Sequence, residues 1–234
     1  MSPKRPGGPG WPNQGRGSGR SGPCPAWASP YSVKLTLPPS RRARSTPKHQ
    51  SVNGVIFQEI GSFAQSLLGP HAWEGLQLAV CPPGRVYYRV ADYPDEEAMA
   101  LIAAMAEQMH EPPGTVLYQL GEFIALDLLR MAHYWIAPEW RTLDLIVNTE
   151  ATIHAALRNG GSQTDPPRLR TRRTGPNEVE VLYDSPRRLC ALARGIIVGL
   201  GKHYGEDVTV TESACMLKGD PACLLVARVT PPAG

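Results

Sequence analysis

The chain has 234 residues, 42% of them hydrophobic, so it is long enough to bury the core of one domain or at most two. Its formal net charge of +3 averages two unlike regions. Residues 1–51 hold nine Lys and Arg and no acidic residue, whereas the rest has 15 basic and 21 acidic residues, a net charge of −6. An acidic body argues against nucleic acid as the main partner, and no apolar run is long enough to span a membrane.

The first 51 residues are rich in Pro, Gly, Ser and Arg, and cannot bury enough apolar surface to offset chain entropy. We expect this tail to be disordered. Two alternatives stay open. One is a targeting peptide, since the segment is basic and acid-free, although it lacks the apolar core of a secretory signal. The other is that the segment is not translated because Val52 is the true start. The folded domain is expected over residues 52–234.

Helical periodicity begins directly after this tail. Apolar residues recur at helical spacing over residues 55–68, and Gly69-Pro70 ends the run. A short helix is predicted over residues 71–80. The next helix starts at Tyr93-Pro94-Asp95-Glu96-Glu97 and continues to about residue 110, because carboxylates favour the positive end of a helix dipole.

The same periodicity predicts a helix over residues 116–128, a packed connector over 131–138 and a long helix over 139–159. The pattern then changes to alternation, which is typical of strands. The predicted order is strand 168–174, strand 178–183, helix 188–204, strand 207–214 and strand 222–229. Helices followed by a small, mainly antiparallel sheet with helices indicate an α+β fold.

One set of residues carries the chemistry. His154 shares a face of its helix with aliphatic side chains, so it should point inward. Twelve residues separate it from Pro167, and fifteen more lead to Tyr183-x-Ser185-x-Arg187. A nitrogen donor, a rigid backbone point and anion-binding side chains suit a ligand with a metal centre and an anionic rim, such as haem. An inward histidine alone is more often a packed core residue, so the joint spacing carries the argument.

This spacing resembles the haem-nitric oxide/oxygen binding (H-NOX) domain family, which is related to the haem domain of soluble guanylate cyclase. The similarity extends from about Asn53 to Arg228 and includes the Tyr-Pro-Asp-Glu-Glu sequence at residues 93–97. It implies an α+β fold in which haem b lies between an N-terminal helical subdomain and the sheet.

The resemblance also assigns roles to the residues of the motif. His154 would be the proximal ligand of the haem iron, and Pro167 would press on the porphyrin and distort it. Tyr183, Ser185 and Arg187 would hold the propionates, with Arg187 contributing most through charge-assisted hydrogen bonds.

The resemblance further indicates which gas is bound. Family members that bind oxygen carry a distal tyrosine five residues after the arginine of the motif, and that position here is Leu192. The other expected distal residues are aliphatic: Ile56, Ile60 and Ile124. None of these side chains donates a hydrogen bond; Tyr118 and Tyr204 are the alternative donors. We therefore expect binding of nitric oxide and carbon monoxide without a stable oxygen complex.

A second set lies in the last third of the chain. Cys190, Cys215 and Cys223 resemble cysteines that, with a histidine, bind structural zinc in some family members. The histidine's place, three residues before Cys215, is held here by Glu212. A carboxylate also ligates zinc, although a Cys3Glu set is less usual. The alternative is a group of reduced cysteines in a cytoplasmic protein.

No nucleophile–base pair, phosphate-binding glycine loop, kinase region or cyclase region is found, so we do not expect an enzyme. The resemblance implies a stand-alone cytoplasmic gas sensor for signal transduction. Nitric oxide would weaken the iron–His154 bond, and the helix carrying His154 would shift. The partner in trans would be a histidine kinase, a cyclic-di-nucleotide enzyme or a chemotaxis-type receptor. The alternative is a haem-free small-molecule-binding or scaffold domain of related fold, which has no need of this imidazole.

Overall fold

The computed structural model describes residues 51–81, 84–159 and 165–231, so almost all of the expected N-terminal tail lies outside the described residues. The helices are α1 (Gly54–Leu68), α2 (Ala72–Val80), α3 (Asp95–Met109), α4 (Pro113–Ala132), α5 (Thr142–Thr149), α6 (Ala155–Asn159) and α7 (Cys190–Tyr204). A π-helical turn (Glu150–His154) joins α5 to α6, and short 3-10 turns cover His133–Trp135 and Met216–Lys218. The strands are β1 (Ser51–Asn53), β2 (Asp92–Pro94), β3 (Arg168–Gly175), β4 (Glu178–Asp184), β5 (Asp207–Ala214) and β6 (Cys223–Thr230).

The first four helices enclose an apolar core. The Asn53 side chain accepts a hydrogen bond from the Val55 amide at 3.0 Å, which caps the start of α1. Gly69, at a φ of 99°, ends the helix in a conformation that glycine adopts without strain. The largest buried side chains of this half include Phe57, Leu76 and Leu101. Because these residues come from three different helices, their packing holds the helical half together.

The second half is a four-stranded antiparallel sheet in the order β3-β4-β6-β5. Alternate residues of its central strands are buried, for example Val179 and Val181 on β4 and Leu225 and Ala227 on β6. The intervening residues face away from this core, as expected for a sheet with one solvated face. The α+β prediction is confirmed.

Helices α4 and α7 connect the two halves, and they approach each other more closely than side chains would allow. A Cβ atom on Gly195 would collide with the Tyr118 carbonyl, and one on Gly121 would collide with the Leu192 carbonyl. The two backbones are therefore in direct contact along this glycine seam (Gly121, Gly195 and Gly199).

Several elements differ from the sequence-based prediction. Helix α4 begins at Pro113, because proline suits the first turn of a helix. The long helix starts at Thr142 rather than residue 139, since the Asp144 carboxylate accepts from the Arg141 amide at 3.1 Å and fixes the start. The antiparallel pair β1–β2, in which Val52 lies opposite Tyr93, was not predicted because three-residue strands show no alternation. Within the described ranges, no helix is long and apolar enough to cross a membrane.

Candidate functional site

A cavity of about 420 Å³ lies between the helical half and the sheet half. Most of its lining is apolar: Val55, Ile56, Leu128, Leu129, Met131, Ala132, Ile136, Leu145, Ile146, Ile153, Leu157, Pro167, Leu169, Val181, Ala193, Ile196, Ile197, Leu200 and Leu225. The lining residues with a polar side-chain atom are Asn53, Trp135, Thr149, His154 and Tyr183. A large apolar cavity with a few polar groups is typical of a site for a small molecule or cofactor.

His154 stands in the wall of this cavity, with a side chain that is only 12% exposed. Its Nδ1 atom lies 3.0 Å from a carboxylate oxygen of Glu150. Since an ionised carboxylate only accepts hydrogen bonds, Nδ1 carries the hydrogen, which leaves Nε2 as the candidate ligand atom. Burial lowers the pKa of His154, although Glu150 and the Pro167 carbonyl favour its protonated form. The neutral imidazole that binds metals is therefore favoured.

Glu150 was not identified from the sequence, and it makes hydrogen bonds in three directions. Oε2 accepts from His154 Nδ1 and from the Leu169 amide at 3.1 Å. Oε1 accepts from Arg158 Nη2 at 2.7 Å, and the same Nη2 lies 3.3 Å from the Pro167 carbonyl. The four- and eight-residue spacing of Glu150, His154 and Arg158 on one helix was the available signal.

Two of the four other motif residues line the cavity directly. Pro167 and Tyr183 are both in its wall. Burial raises the pKa of Tyr183 to about 12, and its side chain is hydrogen bonded to Ser185. Ser185 is itself buried, and its hydroxyl accepts from the Arg187 amide at 3.3 Å.

Arg187 does not line the cavity; it forms an ion pair with Asp95 at the start of α3. Its Nε is 2.7 Å from Asp95 Oδ2, and its Nη atoms donate to the carbonyls of Asp165 at 2.6 Å and Ser51 at 2.8 Å. Asp95 Oδ1 is buried without a hydrogen-bond partner among the described atoms, and burial raises the pKa of this carboxyl. Arg187 thus joins both halves beside the cavity.

The expected distal residues do not all line the cavity. Ile56 lines the cavity. Ile60 and Ile124 are buried in the helical core, and Leu192 packs against that core. Ile196 and Leu200 of α7 line the cavity instead. They follow Leu192 at intervals of four residues, so the helical repeat could have identified them. The distal set remains a prediction for Ile60, Ile124 and Leu192.

The residues present fit haem. The site offers one neutral imidazole, an apolar cavity for the porphyrin, and hydroxyl and guanidinium groups near one edge. Beside Arg187, the buried Asp95 Oδ1 has no donor among the described atoms.

The four residues of the second set lie close together in the sheet half. One ligand atom from each of Cys190, Glu212, Cys215 and Cys223 lies within 4.8 Å of all the others. The Cys215 sulfur is 3.7 Å from that of Cys190 and 3.9 Å from that of Cys223, too far for a disulfide. Two thiolates on a tetrahedral zinc lie about 3.8 Å apart. Glu212 Oε1 is buried and has no hydrogen-bond partner among the described atoms. The donor set therefore fits a zinc ion.

Comparisons with known proteins identify the family and the fold of this chain. The family model described as Haem-NO-binding matches residues 53–212, more than half of the chain. The crystal structure of an H-NOX protein from Shewanella oneidensis in the Fe(II)NO ligation state is similar, with 22% identity, a TM-score of 0.72 and coverage of 76% of this chain and 99% of that one. An unliganded Fe(II) H-NOX protein from K. algicida is 14% identical, with a TM-score of 0.70 and coverage of 78% and 99%.

A mutant of the T. tengcongensis H-NOX protein is 18% identical, with a TM-score of 0.67 and coverage of 78% and 100%. The comparison with curated proteins gives no significant match. The structural likenesses support the fold, and the family match includes every residue that lines the cavity except Leu225. The chain belongs to the haem-NO-binding (H-NOX) family of haem-based gas sensors.

Proposed function

We propose that this chain is a stand-alone sensor of nitric oxide that holds haem b in the cavity between its two halves. The observation that supports this function is the His154 imidazole, neutral and mostly buried in the wall of a large apolar cavity. A haem-free binding or scaffold domain has no need of an inward imidazole in this wall.

Each residue of the site has a distinct task in this proposal. His154 would bind the haem iron, and Pro167 would be the rigid backbone point beside it. Tyr183, Ser185 and Arg187 hold the two carboxylates at the rim of the cofactor. When bound, ferrous haem supplies an iron whose open coordination position binds nitric oxide or carbon monoxide.

The lining chemistry supports a preference for nitric oxide over oxygen. The Thr149 hydroxyl donates to the Leu145 carbonyl at 2.7 Å, and the Asn53 amide lies 3.3 Å from Asp92 Oδ1. Because stable oxygen binding needs a free hydrogen-bond donor, these two commitments disfavour it. The Tyr183 oxygen accepts hydrogen bonds from Ser185 and from the Leu189 amide. Trp135 also carries an N–H, at the exposed edge of the cavity.

The output of the sensor is proposed to be movement of the helix that carries His154, read by a cytoplasmic signalling partner in trans. A histidine kinase, a cyclic-di-nucleotide enzyme or a chemotaxis-type receptor would be such a partner. Within the described residues, the buried Cys190, Cys215 and Cys223 form no disulfide, which is consistent with a reducing compartment.

An absorption spectrum tests the haem assignment. We expect the purified protein, supplied with haem under reducing conditions, to show a Soret band and a five-coordinate ferrous spectrum. His154→Gly should lose this coordination and regain it when imidazole is added. His110→Gly is the matched control, because His110 is exposed and has a φ of 55° that glycine adopts easily. Absence of a Soret band in the wild-type protein would reject haem binding and favour the haem-free alternative.

We also propose that Cys190, Cys215, Cys223 and Glu212 bind one structural zinc ion. The sulfur separations support this proposal, as does the Glu212 oxygen that has no hydrogen-bond partner among the described residues. Burial raises the pKa of the Cys190 and Cys223 thiols, so a cation is needed to hold them as thiolates.

A further inference from the structure

The Glu150 carboxylate accepts more hydrogen bonds than the carboxylate of an exposed helical glutamate would. It accepts three hydrogen bonds, from His154 Nδ1, the Leu169 amide and Arg158 Nη2. The last two donors come from different elements, β3 and α6, so the position of the carboxylate is set by tertiary structure and not only by its own side-chain rotamer. Within the part of the chain that the structure describes, no other carboxylate contacts the His154 ring.

The π-helical turn contributes to this arrangement. Glu150 and His154 are its first and last residues, and the amide after it, on Ala155, bonds to the Glu150 carbonyl. The backbone and the side chain of Glu150 therefore both hold the end of the turn that carries the imidazole. π-Helical turns occur frequently at functional sites, which agrees with a role for this contact.

We propose that Glu150 is the positioning residue of the iron-binding imidazole: its carboxylate fixes the His154 ring with Nδ1 protonated and strengthens Nε2 as an electron donor. This inference rests on the proposed function, because it requires that His154 bind the haem iron.

The physical basis is the charge of the acceptor. A hydrogen bond from Nδ1–H to a carboxylate is charge-assisted and draws the hydrogen away from the ring, which increases electron density at Nε2. A neutral amide in the same place keeps the hydrogen bond but loses most of this effect. Glu150 should therefore make the proximal bond stronger and stabilise the oxidised iron relative to the reduced iron.

The contact also links His154 to the segment beside the cavity. The carboxylate that holds the ring is bonded to the Leu169 amide, and Arg158 extends the network to the Pro167 carbonyl. Both Pro167 and Leu169 line the cavity. A shift of the imidazole would be transmitted to this wall through Glu150.

Resonance Raman spectroscopy of the ferrous, haem-loaded full chain tests the proposal. We expect Glu150→Gln to shift the iron–histidine stretching frequency to lower wavenumber and the haem reduction potential to a higher value, with the Soret band retained. Glu180→Gln is the matched control, because Glu180 lies on the opposite face of β4 from Val181 and Tyr183 and pairs with exposed Arg172. The control should leave both quantities at their wild-type values.

A second measurement does not depend on the wild-type ligand. In His154→Gly, added imidazole would occupy the place of the missing ring and donate to Glu150. We expect His154→Gly/Glu150→Gln to bind imidazole about 10–100-fold more weakly than His154→Gly, the usual effect of removing a partner of a metal-bound imidazole. The two variants share the same His154→Gly change and differ only at residue 150. A general loss of stability can be checked separately by chemical unfolding.

The outcomes separate this inference from the proposed function. A Soret band with an unchanged iron–histidine frequency, or an unchanged imidazole affinity in the double variant, overturns the role of Glu150 and leaves the haem sensor intact. A wild-type protein that binds no haem overturns both.

Discussion

Two opposing effects act on the protonation of His154. Burial lowers its pKa from the ordinary value of 6.5, and this effect outweighs Glu150, which raises it. The unfolded chain therefore takes up a proton at a higher pH than the folded chain does. Stability should decrease as the pH falls below about 6.5, and the loss should be complete once the pH is below the folded pKa.

Chemical unfolding of the haem-free protein on either side of this pH measures the effect. His154→Leu is the comparison, because leucine suits the apolar lining and does not titrate. We expect the wild-type protein to lose stability relative to this variant on acidification. A constant difference between the two proteins would show that His154 titrates as it does in water.

Arg187 has two proposed roles, and a single substitution would affect both of them at once. Its side chain pairs with Asp95 across the two halves, and it is also proposed to hold a propionate. Arg187→Ala should weaken haem retention by about 1.5–3 kcal/mol, the scale of a hydrogen bond to a charged group. It should also lower the free energy of unfolding, by about 3–5 kcal/mol, because Asp95 is left buried and unpaired.

A second variant separates these roles. Arg187→Ala/Asp95→Asn removes the unpaired charge, so it should recover much of the stability while still losing haem faster than the wild-type protein. Arg188→Ala controls for the loss of a positive charge, since Arg188 is exposed. If the double variant retains haem as the wild type does, Arg187 serves the ion pair alone.

At the scale of elements, the zinc proposal concerns how the start of α7, the end of β5 and the start of β6 are held together. Elemental analysis should find about one zinc per chain, and Cys223→Ser should lose it and unfold at a lower temperature. Cys81→Ser is the control, because Cys81 is a buried cysteine that directly follows α2, away from this cluster. Oxidation to a disulfide should likewise expel the metal. A zinc-free protein with three reactive thiols would show that these cysteines are only packing residues.

Most elements could be predicted because their side chains repeat with a clear period. Residues 55–68, 178–183 and 207–214 keep one face apolar, and the structure places a helix or strand at each. The π-helical turn could not be predicted. Its backbone hydrogen bonds span one residue more than those of an α-helix, and five such residues leave no distinct side-chain pattern. Strands β1 and β2 depend on pairing between segments about forty residues apart.

The candidate site could be predicted only in part from the spacing of its side chains. His154, Pro167 and Tyr183 line the cavity because their spacing reflects how helix and sheet meet. Leu192 and Ile196 occupy the same helix one turn apart, and the crossing of α4 and α7 determines which of them reaches the cavity. Sequence periodicity defines a face of a helix but not how far along it a cavity extends.

At the scale of the whole molecule, the apolar cavity predicts selectivity among gases. Reduced protein exposed to nitric oxide or carbon monoxide should show a new, stable spectrum, whereas exposure to air should give slow oxidation without a persistent oxygenated spectrum. A persistent oxygenated spectrum would contradict the nitric oxide assignment. In that case Trp135→Phe shows whether the indole N–H at the cavity edge is the donor.

The glycine seam between α4 and α7 limits how the two halves can move. Where backbones touch, no layer of side chains is available to slide or deform, so translation of one half past the other is costly. Rotation of one half about the seam keeps the backbone contact and changes the width of the cavity. Residues distant from this pivot move farthest. A small tilt of a ligand in the cavity would therefore produce a larger displacement at the surface of the molecule.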